Sequence, residues 1–376
     1  ESFTRLEKVK LKFRYIIIYF IDKRIERLRS FMANLQRNPA WQPAGFNVMA
    51  KPGGPICNLA CEHCYYLSKT QLFPDSEFKM DEGLLEDYTR QYIMAQRVPE
   101  VTFVWQGGEP TLLGIPFFQK AVEFQQKYAR PGLEIKNSLQ TNGTLITEEW
   151  AEFFHDHDFL IGISIDGPEE IHNRYRKFKN DAPSYTDVIR GLRNLQAHDV
   201  ETNILACVSL NNADRGLEVY RHFRDDLGVE FIQFIPIVER ENETGFQEGG
   251  KLTRRSCTPQ QYADFLIEIY DEWIRNDVGK VFVQIFDTTL ASWVGERPGL
   301  CVFEPTCGLG LVLEHNGDVF SCDHFVEPAY RLGNLQETSL EQLVYSKQQR
   351  DFGEAKRDKL TAYCLRCPWL FACQDR

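Results

Sequence analysis

Three cysteines with an unusual spacing lie early in the chain, in the segment CNLACEHCYY. They are Cys57, Cys61 and Cys64, and their C-x3-C-x2-C pattern differs from the C-x2-C pairs of zinc knuckles and redox dithiols. Three thiolates can hold a [4Fe–4S] cluster and leave one iron without a protein ligand, so that a small molecule can chelate it. The alternative is a zinc or iron–sulfur site completed by a distant residue, because structural zinc takes four ligands.

The other cysteines are also clustered. Of the eleven in the chain only Cys207 and Cys257 stand alone, and we interpret both as core or incidental thiols. Clustering at short spacings, without a recognisable signal peptide, favours metal or iron–sulfur ligands over a disulfide framework and indicates a cytoplasmic protein. Six cysteines lie near the end of the chain, where a zinc ribbon is the alternative interpretation: Cys301, Cys307, Cys322, Cys364, Cys367 and Cys373.

The composition limits the class of partner. The 376 residues, 43% of them hydrophobic, suffice for one large domain or for one domain with a smaller appendage. A formal net charge of −11 disfavours nucleic acid and suits a basic peptide or an ordinary metabolite. No apolar run is long enough to span a membrane. We interpret the basic residues 1–45 as an N-terminal extension that need not be native structure.

Six apolar runs of strand type alternate with helical patterns from residue 46 onward. These runs are FNVMAKP, VTFVWQGG, EIKNSLQTNG, FLIGISIDG, ETNILACVSLN and VEFIQFIPIV. Six strand–helix units predict an α/β fold with a parallel sheet, open or closed into a partial (β/α)6 barrel of the TIM type. Polar motifs follow four of the runs, and parallel folds carry their chemistry at the carboxyl ends of strands.

Capping and turn residues mark further elements. Asp81 and Ser184 are N-cap candidates for two helices, and a third helix is predicted near 258–276. The Asn316-Gly317 pair predicts a tight hairpin turn. We therefore expect a partial barrel over 46–245, a linker and helix over 246–300, and a small domain stapled by iron–sulfur ligands over 301–376.

The first cysteine motif resembles that of the radical S-adenosylmethionine (SAM) superfamily, Cys-x3-Cys-x-aromatic-Cys, with His63 in place of the aromatic residue. The resemblance implies a partial barrel that binds SAM at the open iron of a [4Fe–4S] cluster held by Cys57, Cys61 and Cys64. It also implies other SAM contacts. Gly107, Gly108 and Glu109 would hold the amino group, Asn142, Ser164 and Arg176 the carboxylate or ribose, and Val238 the adenine. Arg176 could equally be an ordinary surface arginine.

The C-terminal cysteines resemble the SPASM extension of peptide-modifying radical SAM enzymes, which holds up to two auxiliary [4Fe–4S] clusters. By that resemblance Cys301, Cys307 and Cys322 serve the nearer cluster, and Cys364, Cys367 and Cys373 serve the outer one. Two fully ligated clusters need eight thiolates and this stretch has six. The family pattern continues at position 377, so we expect a chain truncated before its last two ligands.

Across residues 46–376 the segments MAKPGGPICNLACEHCYYLSK, WQGGEPTLLG, SLQTNGTL, SIDGPEEIHNRYR and CDHFVEPAYRLGN together resemble the anaerobic sulfatase-maturating enzymes. That family oxidises a cysteine or serine of a sulfatase, in a Cys/Ser-x-Pro-x-Arg segment, to Cα-formylglycine by means of a 5′-deoxyadenosyl radical. The resemblance implies Asp323 as the base and Tyr66 and Gln106 as lining of the peptide pocket. It further implies a sulfatase polypeptide as partner and a low-potential electron donor such as ferredoxin or flavodoxin.

Two other functions remain open from the sequence. One is another SPASM enzyme, which would form thioether or carbon–carbon crosslinks in a small peptide, although residues 1–45 are too short for the peptide-recognition domain that some of these enzymes carry. The other is a non-catalytic iron–sulfur electron carrier. Such a carrier would not need the GGE, QTNG and SIDGP motifs at strand ends.

Overall fold

The six predicted strands all form. The computed structural model describes residues 45–374, and the extension predicted over 1–45 therefore lies almost entirely outside the described residues. The predicted strands are β1 (Asn47–Lys51), β2 (Glu100–Trp105), β3 (Glu134–Thr141), β4 (Phe159–Ser164), β5 (Thr202–Val208) and β6 (Phe231–Pro236). Four further strands follow, namely β7 (Phe282–Val283), β8 (Gly310–Glu314), β9 (Asp318–Phe320) and β10 (Arg331–Asn334).

Helices connect the strands as expected for an α/β fold. Through the barrel they are α1 (Glu82–Ala95), α2 (Ile115–Tyr128), α3 (Glu148–Asp156), α4 (Glu169–Tyr175), α5 (Tyr185–Ala197) and α6 (Gly216–Arg221). Beyond it lie α7 (Pro259–Asn276), α8 (Gln284–Trp293), α9 (Leu340–Val344), α10 (Lys347–Asp358), α11 (Ala362–Leu365) and α12 (Leu370–Cys373). The helix predicted near 258–276 is α7. None of the described helices is both long and apolar enough to cross a membrane.

One sheet contains all ten described strands, in the order β10-β9-β8-β1-β2-β3-β4-β5-β6-β7. Strands β1 to β7 are parallel to their neighbours, as the alternating pattern predicts. The hairpin expected in the C-terminal domain extends this sheet, because β8 pairs in parallel with β1 and Lys51 lies opposite Glu314. The sequence predicts the hairpin but not its place beside the first strand.

Aromatic side chains fill the core between the sheet and its helices. Trp105 on β2 is fully buried and meets Phe118 of α2 edge-on at 5.8 Å between ring centroids. Tyr88 and Tyr92 of α1 stack at 5.7 Å and pack against Phe103 of β2. Each such ring contributes roughly 1.5–3 kcal/mol by burial. This core fixes the strand ends that carry the polar motifs.

Capping shows one correct and one incorrect prediction. Asp81 caps α1, because its Oδ1 accepts a hydrogen bond from the Leu84 amide at 2.8 Å. Ser184 precedes α5 as predicted but does not cap it, because its hydroxyl donates to the Arg176 carbonyl at 2.8 Å. The Asn316-Gly317 turn joins β8 to β9, and Gly317 has φ +89°, which favours glycine.

Candidate active site

The loop that carries the first three cysteines is anchored by the glycines of the GGE segment after β2. The Gly108 amide donates to the Gly54 carbonyl at 2.8 Å, and the Glu109 amide donates to the Ile56 carbonyl at 2.8 Å. A Cβ on Gly108 would lie 2.1 Å from the Ile56 oxygen, closer than side chains approach, and Gly107 has φ +134°. Only glycines allow this close approach, which places Cys57 at the carboxyl end of the sheet.

The Glu109 side chain links the ends of β2 and β3. Its carboxylate is buried and accepts hydrogen bonds from the hydroxyls of Thr111 at 2.7 Å and Thr141 at 2.8 Å, and from the Asn142 amide at 2.7 Å. Burial raises the pKa of Glu109, although these donors oppose the shift. Hydrogen-bond donors of the chain itself thus use several of the acceptor positions of Glu109, although this carboxylate is predicted to contact SAM.

Two donors point at the Cys57 sulfur. The Leu59 amide lies 3.4 Å from Sγ and the Asn142 side-chain amide lies 3.6 Å from it. Burial raises the pKa of Cys57 to about 12 and that of Cys61 to about 11, so both are thiols until a metal displaces their protons. All eleven cysteines are free of disulfides. N–H donors aimed at a buried sulfur suit a cluster-bound thiolate, and the residues present therefore fit an iron–sulfur cluster.

Arg176 is buried beside this loop, so the surface alternative is wrong. Its guanidinium forms a bidentate pair with Asp166 at 2.8 and 2.9 Å and donates to the Cys207 sulfur at 3.5 Å. Burial alone would raise the pKa of Asp166, but Arg176 lowers it to about 2. Arg176 also lies close enough to Cys61 to lower the pKa of that thiol, although burial outweighs this effect. Cys207, which the sequence left without a role, thus faces the site.

His63 lies against the same ion pair. Its side chain is almost fully buried, with Nε2 3.9 Å from an Asp166 oxygen, and burial lowers its pKa to about 4. Single ligand atoms of His63, Asp166 and Cys207 come within 4.8 Å of one another. Because the Arg176 guanidinium already offsets the Asp166 charge, this group does not call for a cation. A neutral, buried imidazole stands where the sequence motif has an aromatic ring.

The remaining predicted SAM contacts lie at neighbouring strand ends. Ser164 ends β4, and its hydroxyl accepts a hydrogen bond from the Gln140 side chain at 3.1 Å. Val238 follows β6 and is 52% exposed. Asn142 follows β3 and donates to Asn58 in the cysteine loop at 2.8 Å. The structure therefore brings the predicted residues to one edge of the sheet, the carboxyl edge, and Asn142 to the cysteines themselves.

Asp323 sits between the first cysteine loop and Cys322. It pairs with the Lys51 ammonium, and its Oδ2 accepts a hydrogen bond from the Tyr65 hydroxyl at 2.6 Å. Burial alone would raise the pKa of Asp323, but Lys51 lowers it below its usual range. Burial and then Asp323, with the Cys64 and Cys322 thiols, raise the pKa of Tyr65. Neither Lys51 nor Tyr65 was predicted from the sequence. Lys51 could have been recognised, because a lysine at the end of an apolar strand is unusual.

The two residues predicted to line a peptide pocket lie next to this group. Tyr66 is buried, and its hydroxyl donates to Glu314 at 2.6 Å rather than to Asp323. The Gln106 amide donates to the Ala50 carbonyl at 2.9 Å, which places Gln106 beside Lys51. Asp323 therefore contacts Tyr65, while the ring of Tyr66 packs against the Lys51 ammonium.

The nearer C-terminal cysteines form one group. Cys301 and Cys307 both act on the Cys322 thiol, whose pKa rises to about 12, mainly by burial. Lys356 of α10 donates to the carbonyls of Val302 and Glu304, each at 2.7 Å, and thereby closes the loop between the first two cysteines. These thiols fit a second iron–sulfur site.

The outer cysteines lie on and between the last two short helices. Cys364 is in α11, Cys373 ends α12, and the Cys367 amide donates to the Cys364 carbonyl at 3.0 Å. Trp369 packs on Trp293 of α8 with 5.6 Å between ring centroids. The aromatic contact ties this segment to the body of the protein.

A separate cavity of about 550 Å³ lies at the opposite, amino edge of β4 to β7. Leu160, Asn203, Phe231, Phe282 and Asp287 are among its lining residues. It contains none of the predicted site residues, so this cavity and the candidate site lie at different edges of the sheet.

Comparison with known proteins accounts for this arrangement. Residues 52–221 match the radical SAM superfamily and residues 305–368 match an iron–sulfur cluster-binding domain, SPASM. A serine-type anaerobic sulfatase-maturating enzyme of Bacteroides thetaiotaomicron is 46% identical over 87% of this chain and 81% of its own length. The chain belongs to the anaerobic sulfatase-maturating enzymes. It is an enzyme of the radical SAM superfamily whose cofactors are SAM and iron–sulfur clusters.

Both types of sulfatase-maturating enzyme are among its relatives. A cysteine-type enzyme of Clostridium perfringens is 33% identical, covering 87% of each chain. A solved structure of native anSMEcpe with bound AdoMet superposes with a TM-score of 0.79 at 33% identity, covering 87% of this chain and 88% of that one. SuiB of Streptococcus suis, with its precursor peptide SuiA, gives a TM-score of 0.64 at 15% identity, covers 93% of this chain and 75% of that one, and shares the fold alone.

Proposed function

We propose that this chain oxidises a cysteine or serine side chain, within a Cys/Ser-x-Pro-x-Arg segment of a sulfatase polypeptide, to Cα-formylglycine. The observation that carries the proposal is the position of Asp323, an ionised carboxylate held by Lys51 and Tyr65 between the first cysteine loop and Cys322. A peptide substrate is supported by a structure of native anSMEcpe with bound AdoMet and Kp18Cys peptide, at a TM-score of 0.79 and 32% identity.

The first site would hold the SAM-binding cluster through Cys57, Cys61 and Cys64. When bound, SAM and this cluster supply a 5′-deoxyadenosyl radical that removes a hydrogen atom from the substrate Cβ. Protein residues bind and orient SAM, through His63, Gly107, Gly108, Glu109, Asn142, Ser164, Arg176 and Val238. The buried Arg176–Asp166 pair fixes the guanidinium next to Cys61. The close contact of Gly108 with Ile56 fixes the distance between the cysteine loop and the GGE segment.

Proton transfer would fall to Asp323. Its carboxylate accepts the proton of the substrate hydroxyl or thiol, while Tyr66 and Gln106 support the pocket that receives the peptide. Oxidation of serine gives the aldehyde directly, whereas cysteine gives a thioaldehyde that water hydrolyses to the aldehyde with release of hydrogen sulfide. Asp323 is suited to this role because Lys51 keeps it ionised although it is only partly exposed to water. A water-poor site also protects a carbon-centred radical from side reactions.

The C-terminal cysteines would hold iron–sulfur clusters that supply an acceptor for the one electron left after hydrogen-atom abstraction. Cys301, Cys307 and Cys322 supply the nearer site, and Cys364, Cys367 and Cys373 the outer one, within a SPASM domain proposed over 301–376 beside a radical SAM domain over 46–245. A low-potential donor such as ferredoxin or flavodoxin would reduce the first cluster. Eleven thiols without a disulfide fit a reducing compartment, and we place the reaction in the cytoplasm.

The test is an anaerobic assay with the full-length protein reconstituted with iron and sulfide. SAM, dithionite and a peptide with Cys-x-Pro-x-Arg or Ser-x-Pro-x-Arg are added, and mass spectrometry reads the product. Replacement of the thiol or hydroxyl by an aldehyde, with 5′-deoxyadenosine, supports the proposal; the same peptides with Ala at the target position are the control. Deoxyadenosine with both peptides unchanged would contradict it and favour a peptide-crosslinking enzyme.

A further inference from the structure

Lys51, a charged residue at the end of β1, is completely buried. Its ammonium lies 3.6 Å from the ring centroid of Tyr66 and 5.5 Å from that of Tyr65, and it pairs with Asp323. Removing an ammonium from water is unfavourable unless charged and polar partners compensate for the loss of hydration. A buried lysine that sits on two rings and one carboxylate is therefore a costly arrangement that the fold maintains.

A second carboxylate belongs to the residue that pairs with Lys51 in the sheet. Glu314 on β8 lies opposite Lys51 in the sheet register and is fully buried. Its Oε1 accepts the Tyr66 hydroxyl at 2.6 Å, and His315 Nδ1 lies 3.5 Å from its Oε2. Lys51 thus stands at the junction of β1 and β8, where its ring contact with Tyr66 and its ion pair with Asp323 join the two halves of the sheet.

The contacts of Asp323 leave a defined free position. Oδ1 faces Lys51, and Oδ2 accepts one hydrogen bond from Tyr65. A carboxylate oxygen has two lone pairs, so Oδ2 retains one for a substrate proton. The side chain of Asp323 is 19% exposed, whereas that of Lys51 is not exposed at all. Substrate can therefore reach Asp323 and cannot reach Lys51.

We propose that Lys51 is a positioning residue of the formylglycine reaction, which fixes Asp323 so that one lone pair of Oδ2 faces the reacting side chain. The inference rests on the proposed function. In the step concerned, the O–H or S–H bond of the substrate breaks and its proton passes to the Asp323 carboxylate. Lys51 exchanges neither proton nor electron. Besides its charge, which favours the ionised form of Asp323, it contributes by positioning, since a small misplacement of a reacting group can cost orders of magnitude in rate.

Lys51 should act on this step and not on SAM cleavage. The hydrogen bonds and ion pairs of the described residues join Lys51 to Asp323, and none of them joins it to Cys57, Cys61 or Cys64. Loss of Lys51 therefore separates two products that the wild-type enzyme forms together. Deoxyadenosine continues to form, while less formylglycine forms for each deoxyadenosine.

The experiment measures the ratio of formylglycine to 5′-deoxyadenosine in the reconstituted full-length enzyme with the peptide on which the wild type is active. We expect Lys51→Met to lower this ratio about tenfold and Lys51→Arg to recover part of it. Lys69→Met is the matched control, because Lys69 is also buried but pairs with Glu327, 3.9 Å away, instead of Asp323. Its ratio should equal that of the wild type.

An unchanged ratio in Lys51→Met, or an equal fall in Lys69→Met, would overturn the inference. Should Lys51→Met fail to fold, as judged by its thermal unfolding and iron content, Lys51→Gln takes its place and is read by the same ratio. Failure of the proposed function can be told apart from failure of this inference, because the wild type would then give no formylglycine at all.

Discussion

The side-chain amide of Asn142 donates to the sulfur of Cys57 at 3.6 Å, although 85 residues separate them in the chain. The same amide donates to Asn58 at 2.8 Å, while its oxygen accepts the Thr144 hydroxyl at 2.7 Å. These partners fix which atom of Asn142 faces the sulfur. The end of β3 is thereby joined to the cysteine loop before any cofactor binds.

Replacing Asn142 by Ala should make the first cluster more labile. A hydrogen bond to a metal-bound sulfur stabilises the thiolate form, and loss of such an outer contact typically costs 10–100-fold in metal affinity. We expect iron release to a chelator to be about tenfold faster in Asn142→Ala. Asn137→Ala on the same strand is the control, since Asn137 is buried but bonds to Trp105 and Gln125. Equal iron release from both variants would contradict this role.

A methyl group on Gly108 should displace the cysteine loop. Its Cβ would lie 2.1 Å from the Ile56 oxygen, so the backbone must shift, at a cost of roughly 1–3 kcal/mol. We expect Gly108→Ala to bind less iron and less SAM, as measured by iron content and equilibrium dialysis. Gly53→Ala is the matched control, because a Cβ there meets only Leu113 atoms, the nearest at 3.9 Å. Wild-type iron content in Gly108→Ala would show that the close approach is not required.

Asp323→Asn should uncouple the two products. The amide is nearly isosteric but cannot accept a proton at neutral pH, so SAM cleavage continues and formylglycine falls by roughly 100-fold or more. The assay is the same peptide reaction, read by mass spectrometry. Asp318→Asn provides a comparison, since Asp318 bonds to Arg331 and Asn334 in the hairpin and lies outside the site. Full formylglycine yield from Asp323→Asn would remove this residue from the mechanism.

The buried His172 predicts a specific pH dependence of stability. Its Nε2 donates to Ser184 at 3.1 Å, and Ser184 in turn donates to the Arg176 carbonyl at 2.8 Å. Burial lowers the pKa of His172 from 6.5 to about 3. Below pH 6.5 this imidazole is therefore protonated in the unfolded chain but remains neutral in the folded chain. The free energy of unfolding consequently falls as the pH decreases from 6.5 towards 3.

Removing this imidazole should flatten the dependence. Between pH 7.5 and pH 5.5 the free energy of unfolding of the wild type should fall by about 1.4 kcal/mol relative to His172→Gln, measured by denaturant unfolding without oxygen. His155→Gln, on the exposed side of α3, should follow the wild type at both pH values. A constant difference between wild type and His172→Gln would mean that His172 is not the source.

Local sequence patterns predicted the strands, the helix starts and the cysteine groups, because each depends on residues close together in the chain. Asp81 caps its helix and Asn316-Gly317 turns its hairpin for this reason. Ser184 is the exception, because its hydroxyl donates a hydrogen bond to the Arg176 carbonyl instead of capping the helix. The position of that carbonyl depends on the tertiary fold. A capping preference is a local tendency that tertiary contacts can override.

Motifs marked part of the candidate site, whereas the contacts between distant elements were not predicted. Cys57, Asn142 and Asp323 come from recognisable segments. Lys51 meets Asp323 only because β8 pairs with β1, and Cys207 faces the site only because β5 ends beside Arg176. Neither contact leaves a periodic signal in the sequence, since each joins residues from separate elements.

The pairing of β1 with β8 has a kinetic consequence. Tyr65 and Asp323, which meet across this junction, are 258 residues apart in the chain. Contacts of such long range form slowly and late, and domains emerge from the ribosome in order of synthesis. The cysteine loop is therefore synthesised long before Asp323. A nascent chain holds the thiols of the first site before Asp323 exists, and the two parts of the site can meet only after β8 and β9 have been synthesised.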